Sequence, residues 1–319
     1  MTITQLEYAV AVATYHSFVA AAEKCFVTQP TLSMQIQKLE DELGIKLFDR
    51  NNRPNTVTAI GAPIIEQAKV ILSECEKVFE LVKSNQGIVA GLFKLAVIPS
   101  VAPYLMPGLL DRYSKDYPDV RLQVKEMETE QIIAALKNNE IDAAIVSTPL
   151  ENSGIQEYPL FYEPFVGYFS EGEKALKKKM IATTDIDMER LLLLNEGHCM
   201  RNQVLDLCSD HIHELQANKS FQYDSSSVDT LRKLVDRQKG MTVLPELAVN
   251  DFTEDQQDRV RYFEDPEPVR EISLVTNNQF VKISLLQSLI DEVLLLVPEK
   301  MRAQTKKRKI LRIQSSRLS

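Results

Sequence analysis

The stretch FVAAAEKCFVTQPTLSMQIQKLEDELGIKLFDR, residues 18–50, decides how the first part of the chain folds. Ser17, just ahead of it, can cap a short helix over Phe18–Lys24, because its hydroxyl can accept a hydrogen bond from an otherwise unpaired first-turn N–H. The small side chains of Ala20, Ala21 and Ala22 let another helix approach closely, and Cys25-Phe26-Val27 reads as a short turn. Thr28 is then a second cap and Pro30 fits a first helical turn. Leu32, Ile36, Leu39 and Leu43 recur at helical spacing, and Gly44 ends the helix by taking a left-handed conformation without steric cost. Two short helices across a tight turn make a helix-turn-helix.

Working outward, ITQLEYAVAVATY at residues 3–15 is an apolar-periodic helix, and IKLFDRNNRPNTVTAIG at residues 45–61 has strand-like ends around an Asn-Asn-Arg-Pro-Asn turn. Residues 1–58 are therefore expected to be a winged helix-turn-helix that binds double-stranded DNA. The start of the second helix of the motif offers Thr28, Gln29, Pro30, Thr31, Ser33 and Gln35 to base edges, and Lys38, Arg50 and Arg53 suit phosphates. This unit holds five basic residues against six acidic ones, so it has little general attraction for phosphate. Affinity must then come from a local patch and from several units binding together.

From Ala59 to Ser84 the apolar residues Ile64, Ala68, Ile71, Cys75, Val78 and Val82 alternate steps of four and three, the seam of a coiled coil. The segment 59–86 is expected to be a linker helix that pairs with its copy in a homodimer; packing against its own domain is the alternative. GIVAG at residues 87–91 reads as a hinge. Beyond it, strand patterns such as VRLQVKEM, IDAAIVST, FVGYF, SFQYDS and REISLVT alternate with helix patterns such as QIIAALKNNE and VDTLRKLVDRQ, which argues a parallel α/β sheet. The expected regulatory domain, 92–299, divides into lobe I (about 92–163 and 269–299) and lobe II (about 164–268), with a ligand cleft between them. Residues 300–319 hold eight Lys or Arg and no acid, whereas the whole chain carries a net charge of −8. This basic tail reads as a solvated, partly frayed terminus, or as a contact to nucleic acid.

LNEGHCMRNQVLDLC, residues 194–208, gathers two of the four cysteines with His198 and Arg201. One reading is redox chemistry: a neighbouring cation favours the thiolate of Cys199, and Cys208 captures its oxidised form. Helical spacing of Met200, Val204 and Leu207 would hold the two thiols on the order of 13 Å apart, whereas a disulfide needs Cα atoms within roughly 7 Å. Oxidation would have to unwind the segment. A second reading is a metal site on His198, Cys199, Cys208, His211 and His213, although the spacing matches no usual finger. A third is that these are ordinary helix residues, as Cys25 and Cys75 are expected to be.

With 44% hydrophobic and 26% charged residues in 319, the chain is an ordinary globular one, with no secretory leader, no membrane-length apolar run and too few cysteines for a disulfide framework, which suits a cytoplasmic protein. Walker A, G-x-G-x-x-G, G-x-S-x-G and H-E-x-x-H patterns are absent, so a turnover enzyme is not expected.

The 18–50 stretch resembles the signature of LysR-type transcriptional regulators, and the plan of the chain up to about residue 299 follows that family. GHCMRNQVLDLC, IPSVAPYLMP and KLEDELG further resemble its peroxide-sensing OxyR subgroup. The resemblance implies a two-lobed, periplasmic-binding-protein-like regulatory domain, a homotetramer built from homodimers, RNA polymerase as a partner, and hydrogen peroxide as the signal. It also implies Cys199 as the peroxidatic thiol, Cys208 as its resolving partner, and Ser100, Thr129, His198 and Arg270 as peroxide-binding or supporting groups, with no cofactor. Ser100 stands where the resemblance leads one to expect threonine. A regulator that binds a small metabolite in the cleft, and a metal-binding regulator, are the alternative readings.

Overall fold

The computed structural model describes residues 1–50, 54–195, 198–208, 227–237, 240–305 and 307–311. The chain forms two compact units, 1–86 and 87–319.

In the first unit, helix α1 (Ile3–Tyr15) is capped by Thr2. Helix α2 (Phe18–Lys24) is capped by the Ser17 hydroxyl, which accepts from the Ala20 N–H at 3.3 Å. Phe26 turns the chain with φ 56°. Helix α3 (Gln29–Leu43) starts at Thr28, whose hydroxyl accepts from the Thr31 N–H, and stops at Gly44 with φ 70°. Leu6, Val12, Ala21, Leu32, Ile36 and Leu39 close one apolar core between the three helices. Strands β1 (Phe48–Asp49) and β2 (Thr56–Val57) pair antiparallel as the wing. The buried Glu40 carboxylate accepts from the N–H groups of Leu47 and Phe48, which ties the wing to α3.

Helix α4 (Gly61–Asn85) begins two residues later than the periodicity predicts. Gly61 lies against the wing so closely that a Cβ would meet the Leu47 carbonyl at 2.6 Å. The expected seam divides in two. Ala68 is buried in the core of the first unit, with Ile64 and Ile71 packed against it, whereas Val78 and Val82 are exposed. Its N-terminal part thus packs at home and its C-terminal part does not.

The second unit runs β3 (Gly91–Val97), α5 (Ala102–Asp116), β4 (Val120–Glu126), α6 (Thr129–Lys137), β5 (Ala143–Thr148), β6 (Ile155–Phe169), β7 (Met180–Ile181), β8 (Leu191–Leu192), α7 (Cys199–Leu207), α8 (Val228–Arg237), β9 (Met241–Pro245), α9 (Glu254–Gln257), β10 (Val260–Phe263), β11 (Glu267–Asn277), α10 (Ile283–Leu296) and β12 (Arg308–Ile310). The expectation of a parallel sheet needs correction. β3 pairs parallel with β4 and β5, but β6 and β11 run antiparallel to each other along much of their length and are shared by both halves of the unit. β6 passes through Glu163 without the break expected there, and α5 was not foreseen because Pro103 and Pro107 fall within it. Two apolar cores result. One holds β3, β5 and α10 with Phe161; the other holds Phe165, Phe169, β9 and α8. SFQYDS lies outside the described residues.

The frayed-tail expectation is also corrected, for residues 300–305 and 307–311. β12 pairs parallel with β11 at Glu267, Pro268 and Val269, continuing the edge where β5 stops at Glu271. Arg308 binds Glu267 at 3.1 Å, Lys300 binds Glu246 at 2.5 Å, and Leu311 is fully buried. Apolar side chains at positions 301, 310 and 311 make this segment amphipathic, so it docks rather than frays. The boundary expected at residue 299 is therefore not a structural one.

Candidate functional site

Arg270 is fully buried, where β11 faces Glu163 of β6. A buried guanidinium needs a charged partner and full hydrogen bonding. Its Nη2 reaches Glu163 Oε2 at 2.7 Å and its Nε donates to the same oxygen at 2.9 Å. Nη1 donates to Ser100 Oγ at 2.7 Å and Nη2 to the Ser100 carbonyl at 3.0 Å. Glu163 Oε1 in turn accepts from the Leu247 N–H. Ser100, in the turn after β3, is thereby fixed to the strand crossing.

Cys199 opens α7 and is buried in the first core; Cys208 caps its end and is buried in the second. Both are free thiols. Burial pushes the Cys199 thiol above its ordinary value, against the opposing pull of Arg270, the Thr129 hydroxyl and the N–H groups at the start of α7. Burial alone pushes Cys208 up to about 11. The folded ground state therefore holds both as neutral thiols at neutral pH.

The cations adjacent in sequence do not act as expected. His198 is buried, and desolvation moves its imidazole below its usual value, so it is neutral near pH 7. Arg201 donates from Nη1 to the Leu194 carbonyl at 2.9 Å and so braces the entry to α7. The charge that favours the Cys199 thiolate is Arg270, 71 positions away in the chain. Thr129 starts α6; its hydroxyl favours the Cys199 thiolate, and its Oγ1 is buried with no ordinary hydrogen bond among the described residues. His198 Nε2 is likewise buried, with no hydrogen-bond partner among the described residues. Buried polar atoms without a partner are uncommon, and each calls for an explanation such as a redox or catalytic role.

Ser100, Thr129, Cys199 and Arg270 are thus brought together. Glu163 was legible only as a boundary residue, although a lone carboxylate in the apolar strand LFYEPFVGYF was a usable signal. Gln203, buried midway along α7, was not singled out; its Nε2 donates to Ser147 Oγ at 3.1 Å and to the Leu311 carbonyl at 2.9 Å. His211 and His213 of the metal reading lie outside the described residues, and among the described residues no three His, Cys, Asp or Glu side chains stand where they could share an ion. A separate cavity of about 500 Å³ is lined by Pro99, Pro103, Tyr104, Asp229, Arg232 and Phe252, among others; Cys199 is not part of its lining. No helix of the described residues is long and apolar enough to cross a membrane.

In the first unit Thr28, Gln29, Pro30, Thr31 and Lys38 are exposed on α3, while Ser33 and Gln35 are half-buried. Gln35 accepts from Gln5 Nε2 at 3.3 Å. Arg50 stacks 4.9 Å over the Phe18 ring and donates to Ser33 Oγ at 3.2 Å, which places its charge beside α3. Arg53 lies outside the described residues.

Residues 3–62 match the bacterial regulatory helix-turn-helix proteins of the lysR family, and residues 86–295 match the LysR substrate binding domain. The chain is 35% identical over 277 residues to the DNA-binding transcriptional dual regulator OxyR of Escherichia coli, covering 86% of this chain and 89% of that one. It is 37% identical over 278 residues to a hydrogen peroxide-inducible genes activator of Haemophilus influenzae, covering 86% and 90%. Among solved structures, a full-length OxyR variant from Pseudomonas aeruginosa superimposes with a TM-score of 0.70 at 33% identity, over 92% of this chain and 98% of that one.

Proposed function

Because the chain belongs to the LysR family of bacterial transcription regulators, DNA-binding proteins rather than enzymes, we propose that it is a hydrogen peroxide-responsive regulator switched by a disulfide between Cys199 and Cys208. The observation that carries this reading is a buried thiol whose thiolate is favoured by a buried guanidinium and by the Thr129 hydroxyl, with the buried imidazole of His198 next to it in the chain. Hydroxyl and imidazole can orient the two oxygens of a peroxide, and the guanidinium favours both the thiolate and the departing hydroxide.

In the first step the Cys199 thiolate attacks one peroxide oxygen and the O–O bond breaks. Hydroxide leaves and takes a proton to become water, and Cys199 is left as the sulfenic acid. In the second step Cys208 attacks that sulfur, the S–OH bond breaks and a second water leaves. Two thiols and one peroxide give one disulfide and two waters. α7 intervenes: the thiols lie nine positions apart along it, on the order of 13 Å, and bonding needs Cα atoms within roughly 7 Å. Closure therefore unwinds α7 and pulls together residues from two different cores. A change of that size re-sets how copies of the chain associate, and with them the spacing of the DNA-binding units and their contact with RNA polymerase.

The proposal assigns Thr28, Gln29, Pro30, Thr31, Ser33 and Gln35 to base edges, Lys38, Arg50 and Arg53 to phosphates, and the exposed end of α4 to pairing in a homodimer that builds a homotetramer. Thiol mapping by mass spectrometry before and after brief peroxide treatment, with footprinting on a promoter, tests it. The expected result is a Cys199–Cys208 link and an altered footprint, both lost in Cys199→Ser. The 500 Å³ cavity favours a second reading, a small metabolite as effector; a Cys199→Ser protein that still responded in a reporter strain would support it.

A further inference from the structure

We infer that Gln203 is a positioning residue for the disulfide-closing step: anchored on Leu311, directly after the C-terminal strand β12, its amide holds α7 wound, and closure undocks that strand. The inference rests on the disulfide reading above.

Gln203 lies between the two thiols and is fully buried. Its Nε2 binds β5 through Ser147 Oγ and the C-terminal segment through the Leu311 carbonyl. A carbonyl only accepts, so the atom facing Leu311 must be the amide nitrogen. Gln203 Oε1 has no partner among the described residues, so these two bonds are what the side chain contributes. Unwinding α7 carries Gln203 off its helical position and breaks both.

The strand it holds is short. β12 spans Arg308–Ile310 and is fastened by Glu267 N–H to the Lys307 carbonyl at 2.7 Å, by Leu311 N–H to the Val269 carbonyl at 2.9 Å, and by the Arg308–Glu267 ion pair. Leu311 is buried in the same apolar core as Val204, Leu207 and Cys208, all of them in or at the end of α7. Disulfide closure therefore removes a hydrogen bond to Leu311 and disturbs the core that receives it. The edge uncovered is β11 at residues 267–269, directly before Arg270. The tail is thus joined to the sensor through α7 on one side and through the strand that carries Arg270 on the other.

The test uses the full-length protein, the Gln203→Leu variant and a deletion of residues 308–319. Sulfenic acid at Cys199 is trapped with a dione probe, disulfide closure is followed by quenched mass mapping, and backbone hydrogen exchange is read over 265–271 and 307–311. Sulfenic acid should form at the unmodified rate in Gln203→Leu, whereas closure should be about fivefold faster in both variants, the scale of one net hydrogen bond. In the unmodified protein the amides at 307–311 should lose protection once the disulfide forms, and should keep it in peroxide-treated Cys208→Ser. Unchanged closure rates in both variants, or equal protection in the thiol and disulfide forms, would overturn the role of Gln203. Should Gln203→Leu not fold, the deletion and the exchange data still decide. If no disulfide forms in the unmodified protein, the underlying reading fails instead, so the two failures are distinguishable.

Discussion

Cys199 is held between opposing influences, and burial outweighs the cation beside it. Only the thiolate attacks peroxide, and a thiol whose value lies above the ordinary range is mostly protonated at neutral pH. Its rate of oxidation should therefore rise with pH, by roughly tenfold per unit from pH 6.5 to 8.5, since thiolate fraction limits the step. Rapid-quench alkylation measures this directly, and a flat profile would mean the thiol is already ionised. Arg270 sets the counterweight. Replacing it with Met leaves Glu163 buried without its ion-pair partner, which should destabilise the second unit by roughly 3–5 kcal/mol in denaturant titrations and slow sulfenic acid formation as well. The sequence neighbours His198 and Arg201 were expected to supply the cation beside Cys199, and neither does. His198 is neutral and Arg201 is spent on the Leu194 carbonyl, while the cation that acts arrives from β11.

At the level of single elements, α1, α2 and α3 begin and end where caps, proline and glycine place them, because those signals are local hydrogen bonds and local dihedral preferences. Thr28→Ala should remove the cap of α3 and destabilise the first unit by about 1 kcal/mol in thermal unfolding, with a further loss of DNA affinity because Thr28 stands at the exposed start of that helix. α5 shows the limit of such signals, since Pro103 sits in its first turn, where no N–H is needed, and Pro107 is tolerated inside it. β12 shows another. A strand of three residues is too short for alternation to be visible, and it forms because β11 presents an edge that β5 leaves open.

Across the whole chain, the exposed Val78 and Val82 on α4 mark where a second copy is expected to pack. Val78→Glu with Val82→Glu should forfeit roughly 3 kcal/mol of buried apolar contact, weakening the dimer about a hundredfold in sedimentation equilibrium while leaving the monomer's helix content intact. The division of the regulatory unit into two lobes was legible from alternating strand and helix patterns. The means of joining them was not, because antiparallel pairing between β6 and β11 links residues more than a hundred positions apart and has no local signature.

Read along the chain alone, the DNA-binding unit, the linker helix and the Cys199–Cys208 segment could all be located, since each is written in consecutive residues as caps, periodicity or paired cysteines. What folding added is which distant groups meet: Arg270 with Glu163 and Ser100, and Gln203 with Ser147 and Leu311. Those meetings depend on strand order and on which core each end of α7 enters. Long-range packing sets both, and no window of neighbouring residues contains it.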